Sequence, residues 1–204
     1  MSSRFVASGF VLTVLLAMPL AAQDVNAAEQ LVQSGQYAQA ETMLRGLADS
    51  QPDNAKASYL LGMALLEQEK VDEAEPRLRR AMELNHPQDQ VKVALGRVHL
   101  QRQQHDQALA ILNEAQAANP DNVEAYLYRG IARANRSDFK AAVEDLEKAV
   151  QLKPDNAKAH YYGGLAYNGL KRPDKMVEHF QMFLKLAPDA PEAARVRSLL
   201  RNIR

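Results

Sequence analysis

The chain of 204 residues contains no cysteine. That absence excludes disulfides, thiolate metal ligands and a cysteine nucleophile, and with them a lipoprotein anchor, which needs a cysteine at its processing site. Glycine and proline number only nine each, so no long flexible linker is hidden in the chain. Neither sign of charge is in excess, because 25 Lys and Arg balance 25 Asp and Glu. Nucleic-acid-binding proteins usually carry a concentrated basic face, and the balance argues against that class. No stretch alternates apolar and polar residues with period two, so no sheet is expected.

Catalytic motifs are missing as well. His86, His99, His105, His160 and His179 form no His-x-x-x-His pair, and with no cysteine to assist them a zinc site is unsupported. There is no Gly-rich phosphate loop and no Gly-x-Ser-x-Gly elbow. Gly163-Gly164 falls inside a helical stretch, and acid pairs such as Glu144-Asp145 are expected on a solvated second helix. The expectation is therefore no enzyme, no metal and no cofactor.

One long apolar run is present, at the N-terminus. Arg4 is the only charge before Asp24, and Phe5 to Leu20 is almost wholly apolar. Small residues follow in Pro19-Leu20-Ala21-Ala22-Gln23. A charged start, an apolar middle and a small-residue end describe a signal peptide over residues 1–22. The run is short for a membrane span, which needs about 20 residues. The preferred cut is Ala22|Gln23, with Ala27|Ala28 as the second choice, and a retained N-terminal anchor is the alternative. Removing residues 1–22 takes away Arg4 and no acid, leaving 24 basic against 25 acidic residues, a net charge of −1. The expected location is the periplasm or the exterior, with no membrane span after cleavage.

The rest of the chain repeats every 34 residues. Pro120, Pro154 and Pro188 keep that spacing, Pro52 lies two periods before Pro120, and Pro87 lies next to the midpoint between them. Pro52-Asp53-Asn54-Ala55 matches Pro154-Asp155-Asn156-Ala157, and Pro120-Asp121-Asn122-Val123 matches both. Proline stops a helix, and the following Asp-Asn supplies a side-chain oxygen to cap the next one.

Within the period, Ala28, Gly62, Gly96, Gly130 and Gly164 form a small-residue column. Ala40, Ala74, Ala108 and Ala142 form a second, and Ala81, Ala115 and Ala149 a third. A large apolar column runs Leu44, Leu78, Leu112, Leu146 and Phe180. Glycine inside a helix costs about 1 kcal/mol relative to alanine, so glycines kept in phase imply close backbone approach between paired helices. Each period holds two helices, such as Lys56 to Gln68 and Asp72 to Leu84. The turns fall at Gly35-Gln36, Glu69-Lys70, Gln103-Gln104 and Arg136-Ser137.

These columns resemble the tetratricopeptide repeat. The fourth period supplies Tyr126, Arg129-Gly130, Ala142, Leu146, Ala149 and Pro154, and the second Leu61-Gly62, Leu65, Ala74, Leu78 and Ala81. The family's tryptophan column is weak here, being Ser58, Lys92, Tyr126 and His160. The fifth period has Met176 and Phe183 where alanine is usual. The resemblance implies an all-α, right-handed α-α superhelix, a solenoid of about five helical hairpins plus a C-terminal capping helix. The repeats are set at approximately 23–54, 55–88, 89–122, 123–156 and 157–190. The first helix of the array is expected over about Asp24 to Ser34. In the cap, residues 191–204, Ala193, Val196, Leu200 and Ile203 lie on one stripe.

Family geometry further implies that the first helix of each hairpin lines a concave groove. By position, the lining includes Tyr59, Met63 and Leu66, then Val93, Arg97 and Leu100. It continues with Leu127, Tyr128 and Ile131, then Tyr161, Tyr162, Leu165 and Asn168. Lys56, Glu67, Arg97, Glu124 and Lys158 rim or enter it. An apolar and aromatic lining prefers the hydrophobic face of a helix or an extended apolar segment. Tyr59 and Met63 stand where a clamp for an acidic chaperone tail needs Lys and Asn, so that ligand is not expected. The leading function is an adaptor holding a protein partner, peptide or helix, of a cell-envelope machine. A self-associating homo-oligomeric scaffold is the second reading, and an enzyme with an unrecognised site the third.

Overall fold

The computed structural model describes residues 20–201, with side chains from Asp24 onward. The expected signal segment therefore lies outside the described residues, apart from the backbone of Leu20 to Ala22. Eleven helices and no strand occur among the described residues. They are α1 (Leu20–Gln33), α2 (Tyr37–Ser50), α3 (Ala55–Glu67), α4 (Val71–Glu83), α5 (Gln88–Gln101) and α6 (His105–Ala118). After these come α7 (Val123–Asn135), α8 (Phe139–Leu152), α9 (Ala157–Gly169), α10 (Pro173–Leu186) and α11 (Ala193–Arg201). α1 begins before the expected Asp24, and α3 and α4 each begin one residue earlier than expected.

Local chemistry sets the helix ends. Asn54, Asn122 and Asn156 each accept a hydrogen bond from the backbone N–H three residues on, at 2.9, 3.0 and 3.0 Å. Such caps are worth about 1 kcal/mol each. The joint between α4 and α5 is built differently. Asn85 ends α4 in the left-handed region, with φ 60°, and Pro87 stands at the N-cap of α5 with no side-chain bond. Within the hairpins, all five turns use one left-handed residue at the same phase. These are Gly35 (φ 75°), Glu69 (61°), Gln103 (59°), Ser137 (63°) and Lys171 (55°).

The helices pair as hairpins α1–α2, α3–α4, α5–α6, α7–α8 and α9–α10, and each hairpin packs on the next. The backbones of the first helices α1, α3, α5, α7 and α9 also approach one another in sequence, whereas the second helices keep their backbones apart and meet through long side chains, Arg45 with Glu73 and His179 with Glu147. Crowding on one side and spreading on the other bends the stack. The first helices form its inner wall, as in solenoids generally.

Side-chain volume fits the hairpins together. A Cβ placed on Gly62, Gly96 or Gly130 would lie 2.6, 2.6 and 2.7 Å from Leu78, Leu112 and Leu146. The space glycine leaves is therefore filled first by a leucine of the second helix. Backbone comes next, with the carbonyl oxygens of Ala74 and Ala142 at 3.4 and 3.2 Å from the points on Gly62 and Gly130. The close approach expected from glycine is real, but a side chain occupies it. The core runs the length of the stack, and Ile111 and Tyr162 bridge its successive clusters. At the C-terminal end, Ala193 and Val196 of α11 pack on Met176, Phe180 and Phe183. A small residue on α11 thus answers the large Phe183. Ile203 lies outside the described residues.

One expectation is corrected. Glu144 is exposed, but Asp145 is only 3% exposed. Arg129 of α7 holds it through two hydrogen bonds of 2.9 and 2.7 Å, and Arg133 approaches at 2.9 Å. Buried carboxylates survive only when paired in this way.

Candidate partner-binding groove

Four columns, spaced 34 residues apart, run across the inner wall formed by α3, α5, α7 and α9. They are Lys56, Gln90, Glu124 and Lys158; Tyr59, Val93, Leu127 and Tyr161; Leu60, Ala94, Tyr128 and Tyr162; and Met63, Arg97, Ile131 and Leu165. A fifth, Glu67, Gln101 and Asn135, closes the helix ends. Three adjoining hollows open on this wall. The first is lined by Tyr59, Met63, Gln90, Val93, Asn122 and Glu124. The second lies one repeat on, between Arg97, Leu100, Gln101, Tyr128, Ile131, Asn135, Lys158 and Tyr162. The third continues from Lys158 and Tyr162 past Tyr161 and Phe183 to Ala187, Ala190 and Glu192. Their volumes are about 390, 260 and 300 Å³. These sit at or just below the lower end of the roughly 300–1,000 Å³ of small-molecule pockets, and each suits a side chain of a longer partner.

Tyr128 is the centre of the wall. The Arg97 guanidinium lies 5.1 Å and the Lys158 ammonium 5.0 Å from its ring centre. Lys158 also donates to the Tyr128 hydroxyl at 3.3 Å. Arg97 is paired with Glu67 and donates to the Met63 sulfur at 3.8 Å. Tyr59 stacks on His86 with ring centres 4.3 Å apart. Burial pushes the Tyr59 phenol up to about 12 and also raises Tyr128 and Tyr162. These tyrosines therefore stay neutral at physiological pH, and the charged groups of the wall are Lys56, Glu67, Arg97, Glu124 and Lys158.

The residues picked from sequence divide. Tyr59, Met63, Val93, Arg97, Tyr128, Ile131, Tyr161 and Tyr162 all line a hollow. Leu127 packs into the core beneath, and Leu165 packs against the core around Phe180 and lines no hollow. Leu66 is fully buried in the core, because it faces the second helices. The lining is also more polar than expected, since its exposed members include Gln90, Gln101, Glu124, Asn135 and Lys158, with aromatic rings below. Gln90, Gln101, Asn122 and Asn135 were missed. Their phase with Lys56 and Glu67 is the signal that finds the first, second and last of them.

Among the described residues no cluster of three His, Cys, Asp or Glu side chains could hold a metal ion. No described helix is long and apolar enough to cross a membrane. What the fold presents is a helical-repeat solenoid with a shaped inner wall, a class built for protein interaction. Tetratricopeptide repeat models match residues 25–88, 95–161 and 158–190. The chain belongs to the tetratricopeptide repeat family.

Similar solved structures agree on the fold. TTC0263, a thermophilic TPR protein of Thermus thermophilus, is 20% identical, with a TM-score of 0.78 over 89% of this chain and 99% of that one. YrrB, a TPR protein with an unusual peptide-binding site, is 22% identical, with a TM-score of 0.58 over 87% and 92%. MamA of Desulfovibrio magneticus RS-1 is 23% identical, with a TM-score of 0.62 over 84% and 97%. At these identities the likeness concerns the fold alone. No curated protein matches the sequence.

Proposed function

We propose that this protein is an exported adaptor that holds a partner, as a peptide or a helix, against its inner wall in the assembly of a cell-envelope machine. The observation that carries the reading is the succession of three hollows over Tyr59, Tyr128, Tyr161 and Tyr162. Tyrosine and arginine are the residue types that dominate binding energy at interfaces.

Tyr128 and Tyr161 are only 7% and 8% exposed, so replacing them with alanine also cuts a cavity in the core. Tyr162 and Met63 are half-buried and separate binding from folding more cleanly. Tyr162→Ala and Met63→Ala should each weaken capture of a crosslinked periplasmic partner about tenfold, with the circular dichroism spectrum unchanged. Full retention of the partner by both variants would overturn the reading.

The export signal over residues 1–22 belongs to the same proposal. A cut after Ala22 leaves the buried Val25 and Ala28 in place, whereas a cut after Ala27 removes Val25 from the core. Mass spectrometry of the exported protein should find Gln23 first, and a retained Met1 would count against cleavage. Stacking of copies through the C-terminal end is the competing reading. It requires α11 to leave Met176, Phe180 and Phe183. Light scattering over a concentration series separates the two.

A further inference from the structure

The hollows of the inner wall do not share one charge. The first contains a single ionic group, Glu124, beside the neutral amides of Gln90 and Asn122. The second contains two cations, Arg97 and Lys158, beside the amides of Gln101 and Asn135, and no acid. The other charges of the wall are neutralised by neighbouring first-helix residues, since Lys56 pairs with Glu29 at 2.7 Å and Arg97 pairs with Glu67. Glu124 and Lys158 are exposed, and among the described residues neither forms an ion pair, with each other or with a third group.

We infer that the groove reads a dipolar segment of a partner protein, with a basic side chain seated against Glu124 and an acidic side chain against Lys158. This inference rests on the groove reading above and adds the chemistry of its occupant. The acid would meet the Lys158 ammonium beside the Tyr128 ring, in a hollow whose other polar groups are the Arg97 guanidinium and the neutral Gln101 and Asn135 amides. The base would meet the Glu124 carboxylate, with the Tyr59 ring and the Met63 sulfur below it. A wholly acidic segment fails at Glu124, and a wholly basic one fails at Lys158. Adjacent packed helices lie about 10 Å apart. An extended chain covers that distance in about three residues. The two charges of the partner therefore stand about three residues apart.

A phage library of random 12-residue peptides, selected on the full-length chain, tests this. The enriched peptides should carry one acid and one base at a recurring short spacing. They should lose about tenfold or more in affinity to Lys158→Glu, where a like charge faces the acid. The double variant Glu124→Lys with Lys158→Glu should prefer the same peptides with the two charges exchanged. Peptides that lose binding to Tyr162→Ala, yet show no charge spacing and bind Lys158→Glu unchanged, would overturn the dipole and leave the groove reading standing. Enriched peptides indifferent to Tyr162→Ala and Lys158→Glu alike, or no enrichment at all, would overturn both.

Discussion

The fourth and fifth hairpins place different chemistry at equivalent positions. In the fourth, Arg129 on α7 forks onto Asp145 on α8. Thirty-four residues on, the same two positions are Gly163 on α9 and His179 on α10. A Cβ on Gly163 would lie 2.6 Å from His179 Nδ1, so the glycine makes room for the imidazole. His179 turns its Nε2 toward Glu147 of α8 at 3.1 Å, and Tyr167 donates to the same carboxylate oxygen at 2.7 Å. In the second and third hairpins these positions are Leu61 with Arg77 and Leu95 with Ile111. One backbone register thus accepts apolar, ionic and glycine–imidazole fillings. The condition is that the volumes fit. Arg129 and Asp145 also satisfy each other, whereas His179 bonds through Nε2 and its buried Nδ1 has no hydrogen-bond partner among the described residues. The fifth hairpin also carries Phe180 where the others have leucine, and its ring lies against Gly164, where a Cβ would collide with it.

The contrast is broken most strongly at the ion pair. Asp145→Ala leaves Arg129 without its carboxylate and should cost about 3 kcal/mol. Glu147→Ala, which removes the partner of His179 in the half-exposed counterpart, should cost only about 1 kcal/mol. Urea denaturation midpoints of the two variants measure the difference, and equal losses would remove the distinction.

The glycines come next. Gly164→Ala drives a methyl group into the Phe180 ring and should cost about 2 kcal/mol. Adding Phe180→Leu should recover most of the loss. Gly62→Ala should be close to neutral, because helix propensity returns about 1 kcal/mol. Ala28 already stands opposite Leu44 at this register, and both are fully buried. Thermal unfolding of the three variants orders them.

Smaller still are the turns. Lys171→Gly should stabilise by about 0.5–1 kcal/mol, because glycine accepts the left-handed conformation without a Cβ penalty. Gly35→Lys should lose a similar amount.

The weakest effect is titration. Burial pushes the imidazole of His160 below its ordinary 6.5, so the folded chain takes up the proton less readily than the unfolded chain. Its contribution is complete above that ordinary value and declines as pH falls below it. His160→Gln should flatten the stability profile between about pH 7 and pH 5.5. Glu41 behaves in the opposite range. Lys70, together with Arg45 and Gln68, holds its carboxyl at about 2 against an ordinary 4.5, so its contribution fades only below 4.5.

Much of the fold was legible because the same residues return in the same phase. The glycine and leucine columns, the asparagine caps and the positions of the turns could all be read along the chain. The left-handed residues could not be recognised by type, since only Gly35 among the five hairpin turns is a glycine. The candidate site was legible by face and not by depth. Tyr128 and Leu127 are neighbours on α7, yet one floors a hollow and the other lies in the core, because the next hairpin covers them unequally. Asp145 reads as a solvated acid on its own helix, and its partners lie 16 and 12 residues earlier on α7.

By itself, the order of residues determined the 34-residue unit, the places of the joints and turns between helices, and which helix faces carry small or large side chains. Those are short-range matters of capping, propensity and spacing. Only the tertiary structure decided that the backbones of the first helices approach one another while those of the second helices stay apart, and so which wall curves inward. It also decided that, among the described residues, Glu124 and Lys158 stand there without an ion-pair partner while Arg97 has Glu67. Such outcomes depend on the angle and distance at which whole hairpins pack, and no local pattern encodes those.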